Sequence, residues 1–591
     1  MARRGHTGTG RFRLAVTSAA TDRGTAEQGS RGSGGIGRPA LLIGVITAVA
    51  NVIGFGRQLV FAHTVGANNL GTAYATANQV PNIIYAIVLG GALTGMVVPV
   101  LAGPALAGDK AQVRQTSSAL LTWTVVLLVP VSLAVALAAH PLVWLLLGHQ
   151  RTGVAGAGKL SVGTQMLAVF APQILLYGLA VVGYGILQAH RRFAPPALAP
   201  VLSSVVVASA YFAFVPLAHG HQVLGLPEPA ALMLSAGTTA GVAALAVTAL
   251  APVHRLRLRL RPTLRFPAGV AARVRALALA GIAAVIAQNV AAAVVIVLAN
   301  AHGAQGALVL YNYGWQVFFV PYAVLAVPIA TSAFPVLSAS AAGKSAAGPQ
   351  PAAQTGVQEA TAAGAGGAAF DTAVASSTRA AMLASWLGAA LLIGACVPAA
   401  RVFISHDTAF DRTQAPQLAW ALAAFAPGVA GFGLAANLSR VLFACRRTRV
   451  AAIVVTSGWL LVIVADLVIV PLAGSTWVVP ALGLGNTIGL TVAGAALIGA
   501  VRRARGPAAL HGVARAALAG LVAAAAGGGA GAGVSAALRA YGFLPNVGIV
   551  LLACAAAAVA FGLVVLALDG GEARALATLA AARLTRKKAP A

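Results

Sequence analysis

From about Arg38 to Asp569 the sequence falls into apolar runs of roughly twenty residues, separated by short stretches that carry arginine, glycine or proline. A helix rises ~1.5 Å per residue, so ~20 residues cover the ~30 Å of hydrocarbon in a bilayer. Backbone amides in lipid must find partners within their own segment, which makes helices the economical form for such runs. The expected fold is an all-α polytopic membrane protein. Composition agrees: 59% of the 591 residues are apolar and 8% charged, too little polar surface for a soluble body of this size.

Fourteen spans are expected, near 39–62, 72–103, 116–139, 162–189, 195–217, 229–252, 269–300, 306–338, 380–400, 414–443, 450–472, 478–500, 513–537 and 546–568. An even number puts both termini on one side. Of the 39 Lys and Arg residues, 33 then lie in tails, loops and adjoining span ends on that side, and five on the other: Arg151, Lys159, Arg401, Arg412 and Arg539. The last, Arg57, sits inside the first span. Under the positive-inside rule this places both termini in the cytoplasm. It also accounts for the net charge of +28, which on a soluble chain would point to nucleic acid. Here the charges alternate with apolar spans, and no nucleic-acid partner is expected.

The chain also resembles itself. Residues 170–192 (FAPQILLYGLAVVGYGILQAHRR) match 425–447 (FAPGVAGFGLAANLSRVLFACRR) without a gap at an offset of 255, with 10 of 23 positions identical. Low complexity can supply the alanines and glycines, but not the Phe, the Pro and the paired Arg at one offset. A weaker echo pairs Pro99-Val100-Leu101 with Pro335-Val336-Leu337. The repeats are the fourth and tenth spans, six apart, so the halves run parallel about an axis along the membrane normal. The organisation expected is a disordered cytoplasmic tail (1–37), a six-helix lobe (38–252), a basic cytoplasmic linker (253–268), a second six-helix lobe (269–505), two additional helices (506–568) and a basic tail (569–591). The stretch from His254 to Arg275 carries seven arginines, four of them in an HRLRLRLR alternation, either a segment touching anionic lipid or a solvated linker.

Parallel repeats of this kind hold substrate in the cleft between halves, where Pro and Gly within spans are tolerated. Pro81, Pro172, Pro321, Pro328 and Pro427 are candidate bends, with or without a gating role. Charge within a span is costly and marks a functional hypothesis. Arg57 suits an anion, since a guanidinium binds phosphate in bidentate geometry, or an internal ion pair. Asp466 suits ion coupling, by a cation or proton, or a structural hydrogen-bonding role. Neutral polar residues gather on the second span (Asn78, Gln79, Asn82, Tyr85) and the eighth (Asn312, Tyr313, Gln316) at i, i+3 and i+4 spacing, as a cavity lining or as glue between helices. No HExxH, GxSxG or P-loop occurs and no carboxylate pair presents itself, so an enzyme is not expected. Cys396, Cys445 and Cys554 lack zinc or disulfide spacing, and neither a metal site nor a cofactor is expected.

Three further stretches carry a family resemblance. GFGRQLVFAHTVGANNLGTAYATANQVPNIIYAIVLGGALTGMVVPVL, ILQAHRRFAPPALAPVL and VPYAVLAVPIATSAFPVLS occur in the order found in the MurJ/MviN lipid II flippases of the multidrug/oligosaccharidyl-lipid/polysaccharide exporter superfamily. The chain resembles that family over about 38–505. The resemblance implies a two-lobed cavity with alternating access, export of an undecaprenyl-pyrophosphate-linked peptidoglycan precursor, and a groove for the lipid tail on the two extra helices. Lipid-linked glycan and membrane lipids are the implied partners, with cell-wall synthesis or division proteins as further candidates. Arg57 falls on the family's first-span arginine. Gln79, Tyr85 or Ala86, and Gln316 stand where the family carries arginines, Thr72 where it carries aspartate and Gly90 where it carries glutamate. That leaves a cavity poor in cations for a pyrophosphate. Two other readings stay open: a small-molecule exporter of the multidrug type driven by H⁺ or Na⁺, and a non-transporting scaffold for envelope assembly.

Overall fold

In the computed structural model, residues 37–87, 94–221, 223–267, 270–333, 356–404, 409–540 and 542–568 are described, and among them the chain is helix and short turn with no strand. The two expected tails fall outside these residues, apart from Gly37. Eleven helices are long and apolar enough to cross a membrane, or twelve when one bent pair counts as a span. The expected count of fourteen is not reached, because the first two spans do not qualify among the described residues. The first is helix α1 (Gly37–Thr64), described in its side chains only from residue 49; the second is divided between α2 (Asn69–Ile87) and α3 (Thr94–Leu106).

The first group continues with α4 (Lys110–Leu137), α5 (Ala139–Leu147), α6 (Gly153–Phe170), α7 (Gln173–Ala189), α8 (Ala194–Ala218) and α9 (Glu228–Arg255). Within it α8 packs on α1 and α9, α7 on α3, α4 and α9, and α2 on α6. The second group is α10 (Val270–His302), α11 (Ala307–Pro321), α12 (Gly356–Phe403), α13 (Ala409–Phe425), α14 (Gly428–Ala444), α15 (Thr448–Ile469) and α16 (Val478–Arg505). Its centre is α16, which contacts α13, α14 and α15. Two last helices, α17 (Val513–Ala537) and α18 (Phe543–Leu568), pack on α12. Small residues allow that close approach: a Cβ on Gly394 of α12 would lie 3.0 Å from the Gly531 Cα of α17, and the Ser535 hydroxyl donates to the Gly394 carbonyl at 2.8 Å. Exposed valines and leucines on α4 and α18 form the lipid-facing surface.

The internal repeat is visible down to single hydrogen bonds. Both copies break after a phenylalanine, α6 to α7 at Ala171-Pro172 and α13 to α14 at Ala426-Pro427, with the prolines at φ −59° and −62°. The second copy bends by 41° there, while the first remains one continuous span. Both end in the same cap: the Arg192 amide donates to the Leu187 carbonyl and the Arg447 amide to the Leu442 carbonyl, each at 2.8 Å. Arg191 and Arg446 sit in the left-handed region at φ 57° and 58°, the place where glycine ordinarily stands in this motif. A left-handed backbone costs an L-residue ~1–2 kcal/mol. Arg191→Gly and Arg446→Gly are each expected to stabilise the protein by about 1 kcal/mol. Thermal unfolding in detergent measures this, and an unchanged or lower midpoint would show that the arginines offset the strain through their side chains. The partner of Pro99-Val100-Leu101 in the weaker echo, 335–337, lies outside the described residues.

The arginine-rich stretch after α9 is not a free linker. Its leucines and arginines alternate, and Leu258, Leu260 and Phe266 pack into an apolar cluster that includes residues of α3, α4 and α7. Along α4, the Ser118 and Thr122 hydroxyls accept from the Arg261 and Thr263 amides at 3.1 Å, and the Trp123 indole donates to the Leu264 carbonyl at 3.1 Å. The arginines of this strap are left exposed at the end of the bundle that also carries Arg191 and Arg446, here the basic end. Pro321 closes α11 and is followed by a π-helical turn, Tyr322–Ala326, while Pro81 lies within α2.

Candidate functional site

Asn78, Gln79 and Asn82 share one face of α2, and Asn312 and Gln316 share one face of α11. These two faces meet. With Arg57 of α1 they line a cavity of about 270 Å³ between the two groups of helices. The Gln79 amide donates to the Asn312 side-chain oxygen across the divide at 3.3 Å. Tyr177 of α7, Tyr211 of α8, Thr238 of α9 and Trp315 of α11 complete the walls. Tyr177 donates to Asn82 at 3.2 Å, and the Tyr74 hydroxyl is within 2.8 Å of the Tyr211 hydroxyl and 2.9 Å of that of Thr238. Tyr85, expected in the lining, stands just outside, its ring stacked on Tyr177 at a centroid distance of 4.1 Å.

Among the described residues of this lining Arg57 is the charged one, and no Asp or Glu accompanies it. Its Nε is buried without a hydrogen-bond partner, a costly condition for a guanidinium. The internal ion pair open to it in the sequence therefore has no acidic member in the cavity. On the other side of α1, Phe55 and Leu59 face an apolar groove of about 480 Å³ shared with α11, α12 and α18 (Val320, Leu392, Val550, Leu551). Helix α1 thus separates a polar chamber from an apolar one.

Asp466 is elsewhere, fully buried between α15 and α16. Neither carboxylate oxygen has a hydrogen-bond partner. Oδ1 lies where a Cβ on Gly485 would be, and the neighbouring Asn486 donates to the Tyr311 hydroxyl at 3.2 Å. A structural hydrogen-bonding role for Asp466 has no bonds to rest on. No cluster of three metal-ligating side chains occurs among the described residues.

The sequence reading missed several polar residues. Lys159, taken as an outer-loop residue, lies within α6, buried, donating to the Gln150 side-chain oxygen at 2.7 Å. The Gln150 amide reaches the Gly303 and Ala304 carbonyls of the second group at 3.3 and 3.4 Å. Nearby, Asn300 donates to the Thr76 hydroxyl (3.1 Å) and the Leu146 carbonyl (2.9 Å), and Gln414 to the Ala67 (2.7 Å) and Gln305 (3.2 Å) carbonyls. The bonds from Gln150 to Gly303 and Ala304, from Asn300 to Thr76 and Leu146, and from Gln414 to Ala67 cross between the two groups and latch them together at the far end of the bundle, opposite the basic end. Tyr177, Tyr211 and Thr238 were also missed, each an uncharged residue on an apolar span.

Residues 61–551 match the family model described as lipid II flippase MurJ. A probable lipid II flippase MurJ of Synechocystis sp. is 28% identical over 225 residues, 37% of this chain and 41% of that one. The lipid II flippase MurJ of Burkholderia cenocepacia is 27% identical over 181 residues, 30% of this chain and 34% of that one. The matched stretch thus spans less than half the length of these curated relatives. Among solved structures, lipid II flippase MurJ in an inward closed conformation superposes with a TM-score of 0.63 at 14% identity, covering 90% of this chain and all of that one. An inward-facing multidrug resistance MATE family transporter gives 0.58 at 15% identity, covering 77% and 94%. At these identities the likeness is one of fold.

Proposed function

The chain belongs to the lipid II flippase MurJ family, and from that membership we propose that it carries an undecaprenyl-linked cell-wall precursor, lipid II or a related lipid-linked glycan, across the bacterial cytoplasmic membrane. The observation that carries this reading is Arg57, a cation with an unpartnered buried Nε in a polar cavity between two groups of helices. Both termini are cytoplasmic in this reading, and the basic end faces the cytoplasm, as the 33 basic residues assigned to that side favour. Helices α1–α9 and α10–α16 are then two lobes of an alternating-access transporter, latched at the outward mouth. The groove beside α18 accepts the polyprenyl chain, and Arg57, with Asn78, Gln79, Asn82, Asn312 and Gln316, receives the headgroup.

Asp466 is the residue we assign to ion coupling. A carboxylate in the membrane without a hydrogen bond is expensive, and a proton or a monovalent cation would relieve it. A small-molecule exporter would use Asp466 in the same way; the family match over residues 61–551 favours the lipid-linked glycan. Depleting the protein is expected to trap the lipid-linked precursor in the inner leaflet, and a normal distribution between leaflets sinks the flippase reading. In proteoliposomes, Asp466→Asn is expected to uncouple transport from an imposed H⁺ or Na⁺ gradient. Retained gradient dependence would remove Asp466 from the mechanism.

A further inference from the structure

We propose that the cavity around Arg57 is built for a polyprenyl-linked sugar joined through a single phosphate, not through a diphosphate. The proposal rests on the flippase reading of the same cavity and names the class of headgroup within it.

Charge is the first argument. A polyprenyl phosphosugar is a phosphodiester with one negative charge, while the corresponding diphosphate carries two. Among the described residues lining the cavity, Arg57 supplies one positive charge and nothing else is ionic at neutral pH. Its Nε has no hydrogen-bond partner in the protein, and a guanidinium can match one phosphate in bidentate geometry. A second phosphate would surrender its water to amides and hydroxyls alone, and a desolvated charge without a counter-charge is what such sites avoid.

The neutral lining is the second argument. Six amide side chains, Gln58, Asn78, Gln79, Asn82, Asn312 and Gln316, both donate and accept, matching the mixed character of sugar hydroxyls. Trp315 and Tyr177 add flat apolar faces with polar edges, suited to the C–H face of a pyranose. At about 270 Å³ the chamber lies just below the ~300–1,000 Å³ typical of small-molecule sites, so a compact headgroup fits it better than a disaccharide bearing a long peptide.

Order along the ligand is the third. In such a lipid the phosphate stands between sugar and polyprenyl chain. In the protein, α1 stands between the polar cavity and the apolar groove, and it carries Arg57 on one face with Phe55 and Leu59 on the other.

The test compares two probes that differ by one phosphate, undecaprenyl phosphoglucose and undecaprenyl diphosphoglucose, titrated into the purified full-length protein in detergent, with undecaprenol as the blank. The wild type is expected to bind the monophosphate roughly tenfold or more tighter. Gln79→Arg and, separately, Gln316→Arg each add a cation to the lining and are expected to reverse the preference. Two variants on different helices guard against one that fails to fold. A wild-type preference for the diphosphate overturns this inference and leaves the flippase reading standing, as does a probe ratio unmoved in both folded variants. Binding of neither probe above undecaprenol overturns both.

Discussion

Arg57→Ala is expected to abolish transport while leaving the protein in the membrane at wild-type abundance. The Arg57 Nε makes no hydrogen bond within the protein and no acid stands beside it among the described lining residues, so truncation removes no ion pair there. With a phosphate bound, the same guanidinium is the counter-charge in a site walled by neutral groups. Truncating one partner of a buried, hydrogen-bonded charge pair costs ~2–5 kcal/mol, a loss of about 30-fold to several thousand-fold in headgroup affinity. Arg57→Lys restores a charge without the planar fork and is expected to recover part of that loss. The measurement is the rate at which a labelled lipid-linked sugar exchanges leaflets in proteoliposomes, with membrane abundance followed in parallel. Wild-type exchange by Arg57→Ala would remove the arginine from the substrate path.

Arg57 was legible in the sequence because charge inside an apolar run is rare and expensive, so one residue suffices as a signal. The faces of α2 and α11 were legible for a different reason: several polar residues repeat at helical spacing, and only one face of a helix can hold them. Tyr177, Tyr211 and Thr238 carry no charge, and their helices hold other polar residues, such as Gln173 and Tyr184 on α7, Ser204 on α8 and Ser235 and Thr239 on α9, that stand outside the lining. What makes the three part of the cavity is the packing of α7, α8 and α9 around α1 and α2, which no local pattern encodes. Lys159 was misplaced because the run GVAGAG before it reads as a loop, whereas small residues in a bilayer are what let helices approach closely. Asp466 could be located but not interpreted, since its lack of partners is a property of α16 packed against it through Gly485. The duplicated helix was the opposite case. Phe, Pro and the paired Arg are the residues that set its start and end, so the sequence match and the shared caps at Arg191 and Arg446 record the same physical event.

The far-end latch carries the other large expectation. Gln414→Ala combined with Asn300→Ala is expected to shift the protein toward a conformation open at that end. Across the divide the two amides donate to the Ala67 and Leu146 carbonyls and the Thr76 hydroxyl of the first group. When the latch is closed these acceptors are shielded, and each one left unsatisfied costs ~1–3 kcal/mol. When it is open, water satisfies them, so the penalty falls on the closed state alone. Losing two or more such bonds approaches the ~5.5 kcal/mol that turns a 99:1 population into 1:99. Spin labels at Val154 of α6 and Arg412 of α13, both exposed at the far end on opposite groups, should gain a longer distance component in the double variant. An unchanged distribution would mean that apolar packing, not these amides, holds the end shut. The same shift has a second consequence for a ligand that enters from the basic end and binds the latched form. Its apparent affinity falls by the fraction of molecules still latched, although no residue of its cavity has changed. Affinity and distance distribution must therefore move together across the Gln414→Ala, Asn300→Ala and combined variants, which separates weakening of the latch from damage to the cavity.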